Sequence, residues 1–126
     1  MVLVDTSVWI RAVANVAPFK AGLDRLLSRD EVVGHEMVYR ELLIGDKAGR
    51  RKFLADYERI RQAQTVPHDE LVALVRGRDL YGRGVGWIDV HILASALVGR
   101  FRVWTADPRF AAVALELGVG YEPAAP

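Results

Sequence analysis

The chain has 126 residues, 52% of them hydrophobic, and a formal net charge of +1, which fits one packed domain over 1–126 and is too apolar for a disordered chain. No run approaches the roughly 20 apolar residues of a membrane span, no basic stretch precedes an apolar one as in a secretory signal, and cysteine is absent, so disulfides and thiolate metal sites are excluded and a cytoplasmic protein without a membrane partner is expected. A charge this near zero implies no polyanion by itself, so any nucleic-acid surface has to arise from local arrangement.

VLVD (2–5) is a short apolar run ending at an acid, and Thr6 and Ser7 then open a helix that turns Val8, Trp9, Ala12 and Val13 inward. A second helix is predicted from about Pro18, with Phe19, Leu23, Leu26 and Leu27 at helical spacing. EVVG (31–34) reads as a strand. His35 to Ile44 reads as a helix with Met37, Val38, Glu41 and Ile44 on one face, and Phe53, Tyr57 and Ile60 mark another. QTVP (64–67) is predicted as a third strand and 69–81 as a helix, after which Gly82, Gly84 and Gly86 form a break before a helix from Trp87 to about Val98. FRVWT (101–105) has strand composition, Phe110, Val113, Ala114 and Leu117 a helical stripe, and VGY (119–121) suggests a last short strand. Strands alternating with amphipathic helices predict an α/β layer structure with a mostly parallel sheet.

In such sheets ligands gather beyond the carboxyl ends of the strands. Asp5 ends the first strand and Asp107 follows FRVWT by two residues, so parallel strands would bring both to one rim. Glu41 lies on the apolar stripe of its helix, and Asp89 shares a face with Leu93 and Ala96. Read singly, each acid has a structural role open to it: Asp107 as an N-cap before Pro108, Asp89 at a helix dipole, Asp5 in a turn with Thr6, Glu41 reaching to solvent. Read together, four converging carboxylates with no inward Lys or Arg call for a cation. Oxygen donors favour a hard ion, Mg²⁺ or Mn²⁺. His35, His68 and His91 lack metal-ligand spacing, and surface or structural roles are expected of them.

VLVDTSVWI (2–10), YRELLIG (39–45), GVGWIDVHILASAL (84–97) and VWTADPRF (103–110) together resemble the PIN-domain family, and within it the VapC-type toxins of toxin–antitoxin (VapBC) pairs. The resemblance implies a PIN-like three-layer fold, a mostly parallel central sheet flanked by helices. It also implies metal-dependent endoribonuclease activity, with Asp5, Glu41, Asp89 and Asp107 as both catalytic and metal-holding residues. Pro108 departs from the charged residue common at that place and bears on how Asp107 is presented. A VapB-type antitoxin, a homodimer and an RNA substrate follow from the same resemblance; a stand-alone PIN nuclease without a toxin role shares the same acids.

Thr6 and Thr105 flank the acids as candidate auxiliary hydroxyls, with cap or turn roles equally open. Arg83 and Arg109 are candidate substrate contacts. The run Lys47, Arg50, Arg51 and Lys52 is better read as a solvated helix face than as a phosphate track. Val8, Trp9, Phe19 and Leu23 are core candidates, and any exposed part of their helices would suit an amphipathic antitoxin segment. Two rivals remain. A phosphatase or phospho-receiver domain would want an acid where Ser7 stands, or a lysine in FRVWTADP, and neither is present. A non-catalytic RNA- or protein-binding module has no need of all four acids.

Overall fold

The computed structural model describes residues 1–46 and 49–123. In chain order the elements are β1 (Val2–Val4), α1 (Thr6–Val13), α2 (Phe19–Ser28), β2 (Val32–Val33), α3 (Glu36–Ile44), α4 (Arg51–Arg59), α5 (His68–Gly77), α6 (Trp87–Gly99), β3 (Arg102–Trp104) and α7 (Pro108–Glu116). The three strands form one parallel sheet in the order β2-β1-β3, with Val2 paired to Val32 and Arg102, and Val4 to Trp104. Successive residues of a strand face opposite sides of the sheet. Leu3 and Val4 are both fully buried, so helices cover both faces, as a parallel sheet requires.

The predicted strand at QTVP is not formed. The chain meets the outer edge of β2 earlier, where Gly34 N–H donates to the Arg61 carbonyl and Ala63 N–H to the Gly34 carbonyl, both at 2.7 Å, a single parallel bridge at Gln62. Beyond it Val66 leaves the sheet to pack with Leu71, Val90 and Ala94, and Pro67 has no N–H to offer a ladder. VGY likewise makes one parallel bridge, Gly120 against Val103. Each segment closes an edge of the sheet without extending it as a strand.

Helix ends also depart from the sequence pattern. The helix predicted to Tyr81 stops at Gly77, after which Asp79 takes a left-handed turn (φ 53°) and Leu80 folds back to donate to the Val75 carbonyl. Ile44, assigned to the inward stripe of α3, is 92% exposed, because the last turn of that helix runs past the core. Val8, Trp9 and Leu23 are core, whereas Phe19 is half-buried and Leu27 is exposed.

His35 is fully buried. Its Nδ1 caps α3 by accepting the Met37 N–H at 3.0 Å, and its Nε2 lies 2.9 Å from Ser95 Oγ, which donates to the Gln64 carbonyl at 2.7 Å. A backbone N–H can only donate, so Nδ1 is the acceptor and Nε2 carries the proton. The chain of bonds ties α3, α6 and the 61–66 segment together, a structural role.

Candidate active site at the carboxyl rim of the sheet

The parallel sheet brings Asp5, immediately after β1, and Thr105 to Asp107, immediately after β3, to the same rim; Asp5 N–H donates to the Trp104 carbonyl at 2.9 Å. Asp5 is 6% exposed. It stands at the N-cap of α1 without using its side chain there. Its Oδ2 instead accepts from Ser7 Oγ at 2.7 Å and Thr105 Oγ1 at 2.9 Å. These two hydroxyls in turn accept the backbone N–H groups of Ala106 and Asp107, so the loop after β3 is pinned to the carboxylate.

Thr6 Oγ1 donates to Glu41 Oε1 at 2.6 Å, drawing the half-buried acid of α3 to the start of α1. Asp107 does cap α7, through Oδ1 to the Arg109 N–H at 2.9 Å, with Pro108 in the first turn. Asp89 accepts the Gly86 N–H at 2.9 Å through Oδ2, at the start of α6. Capping and chemistry are therefore compatible, because each cap uses one oxygen. Among the described residues, Asp5 Oδ1, Glu41 Oε2, Asp89 Oδ1 and Asp107 Oδ2 have no protein donor, and none of them is a buried orphan.

Asp89 registers the whole group. Burial pushes its carboxyl up to about 6, the Gly86 N–H works against this, and the charges of Asp5, Asp107 and Glu41 push the same way as burial. Opposing cations are missing: among the described residues no ion pair reaches any of the four acids. Among the described residues, no three acidic or histidine side chains are gathered tightly enough to enclose an ion. The donor chemistry nevertheless fits a hard divalent cation: four carboxylates, each with an oxygen to give, and neither sulfur nor cation nearby.

The predicted arginines fare differently. Arg83 is engaged with Glu116 at 2.7 Å. Arg109 lies over Gly84, whose left-handed backbone (φ 81°) and missing side chain make the approach possible; a Cβ there would stand 2.5 Å from Arg109 Cδ. In the basic run, Lys52 pairs with Asp56 on the exposed face of α4, Arg50 and Arg51 are exposed, and Lys47 lies outside the described residues. Ser7 was not singled out from the sequence. Its signal was the D-T-S triplet, but the triplet does not show which hydroxyl turns back to the acid.

The PIN domain matches residues 2–116. The chain belongs to the PIN-domain family. This PIN chain is 42% identical over 120 residues to Ribonuclease VapC32 of two strains of Mycobacterium tuberculosis, covering 94% of each chain. Two solved structures share the PIN fold: FitAcB from Neisseria gonorrhoeae (TM-score 0.61, 24% identity, 90% of this chain and 93% of that one) and PAE2754 from Pyrobaculum aerophilum (TM-score 0.57, 16% identity, 93% and 94%). Dependence on a divalent metal is general to PIN ribonucleases.

Proposed function

We propose that the chain is a single PIN domain acting as a Mg²⁺- or Mn²⁺-dependent endoribonuclease, the toxin of a VapBC-type pair. The observation that carries this reading is the rim itself: four carboxylates, each held through one oxygen and open at the other, with Asp89 raised by burial first and, in the same direction, by the charges of the remaining three. The similarity to Ribonuclease VapC32 supports RNA as substrate.

Asp5 and Asp89 would hold the principal ion, with Glu41 and Asp107 completing the site. When bound, the cation lowers the pKa of water, neutralises the scissile phosphate and supports the leaving oxygen. The protein's part is orientation. Ser7 and Thr105 fix Asp5, Thr6 fixes Glu41, and the first turns of α6 and α7 fix Asp89 and Asp107. With Oε1 held by Thr6, Glu41 Oε2 is the candidate to orient the attacking water and take its proton as the water oxygen bonds to phosphorus and the P–O bond to the leaving group breaks. Arg109, with no acidic partner among the described residues, is the better phosphate contact; Arg83 is held by Glu116.

An antitoxin partner has a surface to use. Ile10, Val13, Leu42, Phe53 and Leu54, from α1, α3 and α4, line a cavity of roughly 270 Å³ with Glu41 at its edge, and the exposed Ile10, Leu43 and Ile44 extend its apolar character. An amphipathic helix seated there would lie beside the carboxylates, which couples binding to inhibition. A homodimer belongs to the same reading and is checked by light scattering. No helix among the described residues is long and apolar enough to cross a membrane.

The test is cleavage of a pool of structured RNAs by partner-free protein in Mg²⁺, Mn²⁺ or EDTA, beside Asp5→Ala and Asp89→Ala prepared identically. Site-specific cutting that needs metal and both aspartates is the expected result. Cutting that survives EDTA or either substitution overturns the assignment.

A further inference from the structure

Three tryptophans occur in the chain, and two are core: Trp9 is 5% and Trp104 3% exposed. Trp87 is 45% exposed. It opens the first turn of α6, two residues before Asp89 and next to the Gly86 whose N–H that carboxylate accepts. Long side chains on a helix lean toward its N-terminus, and Trp87 shares a face of α6 with His91, one turn on, at the same helix end as Asp89. It is also held. His91, one turn further on, meets its ring edge-on at 5.9 Å and 85°, and His68 at the start of α5 meets it at 5.8 Å and 51°. Among the described residues no hydrogen bond engages the indole, and Trp87 stays exposed.

A large aromatic surface kept partly in water on the first turn of the helix that carries Asp89, and braced by two imidazoles, has the form of a stacking platform. We propose that Trp87 stacks an unpaired base of the RNA next to the scissile phosphate, so that the enzyme selects single-stranded or looped segments at this position. The inference rests on the ribonuclease reading above. A base inside a duplex has both faces covered by its neighbours and cannot reach the ring, whereas a splayed base can. The contact tolerates any base, because every base has a π-face. It discriminates unpaired from paired RNA and holds the backbone in register with Asp5 and Asp89.

The experiment uses the full, partner-free chain as wild type, Trp87→Phe, Trp87→Leu and Asp89→Asn, with a metal-dependent cleavage assay on a looped RNA and on the same RNA lacking the bases that flank the cut. Stacking energies predict that Trp87→Leu loses roughly 5- to 150-fold in kcat/KM, mostly through KM, while Trp87→Phe stays within a few-fold of wild type. Base removal should slow the wild type by a similar factor and leave Trp87→Leu nearly unaffected. Because Trp9 and Trp104 are buried, Trp87 supplies the quencher-accessible fluorescence, and bound RNA should shield it from acrylamide. Unchanged melting temperatures separate the loss of stacking from loss of fold.

If wild type cuts in an Asp89-dependent way and Trp87→Leu cuts equally well, the platform is refuted and the nuclease stands. That same result is expected if Trp87 instead serves a protein partner, since none is present. If Asp89→Asn still cuts, or wild type cuts nothing and RNA leaves Trp87 unshielded, the ribonuclease reading fails and the platform with it.

Discussion

Acid should unfold this protein partly through His35. Burial first, and the neighbouring His91 second, lower its pKa from 6.5 to about 4. The physical reason is the bond pattern: a second proton can go only to Nδ1, where it would face the Met37 N–H and break the cap of α3. The unfolded chain, with an ordinary imidazole, takes up the proton first as the pH falls. The stability contributed by neutral His35 is therefore fully present above 6.5, drains away between 6.5 and 4, and falls no further below that. At 1.36 kcal/mol per pKa unit, lowering the pH from about 7.5 to about 4.5 removes roughly 2–3 kcal/mol through this one residue. The assay is urea unfolding across that window for wild type and His35→Asn, since Asn supplies a cap acceptor without titrating. Carboxylates common to both proteins, Asp89 included, cancel in the difference. Wild type should lose roughly 2–3 kcal/mol more than the variant; parallel losses would refute the burial argument.

Asp89→Asn should abolish cleavage and raise the melting temperature of the metal-free protein at neutral pH. The folded carboxyl's raised pKa, about 6 against 3.8, means the native state gains stability as that group is neutralised. Divalent metal should raise the melting temperature of the wild type and not of this variant, as differential scanning calorimetry would show. Removing both hydroxyls on Asp5, in Ser7→Ala with Thr105→Ala, should weaken metal affinity by roughly 10- to 100-fold, measured by titration calorimetry; unchanged affinity would mean the carboxylate is oriented by something else. Phe110→Ala empties a fully buried site and should cost about 3–5 kcal/mol in denaturant unfolding. Ile44→Ala, at 92% exposure, should stay within about 0.5 kcal/mol.

Strand-then-acid at VLVD, proline after an acid at Asp107, and the capped starts of α6 and α7 are patterns of a few adjacent residues, so the sequence alone determined the α/β class, most helices and the four acids to examine. Position on a helix was legible; what the helix packs against was not. Ile44 keeps the spacing of an inward residue, yet the end of α3 runs beyond the core, while His35, polar and isolated in sequence, is fully buried. The bonds that shape the site span the chain: Thr6 reaches Glu41 across 35 positions and Thr105 reaches Asp5 across 100. The parallel pairing of β1 with β3 brings Asp5 and Thr105 to one rim, and the pairing of β1 with β2 sets α3 with Glu41 beside α1. The sheet edges followed the same rule, closing at Gln62 and Gly120 through single bridges, because a strand forms where a partner's free N–H and C=O groups are presented, and that is a property of the folded sheet.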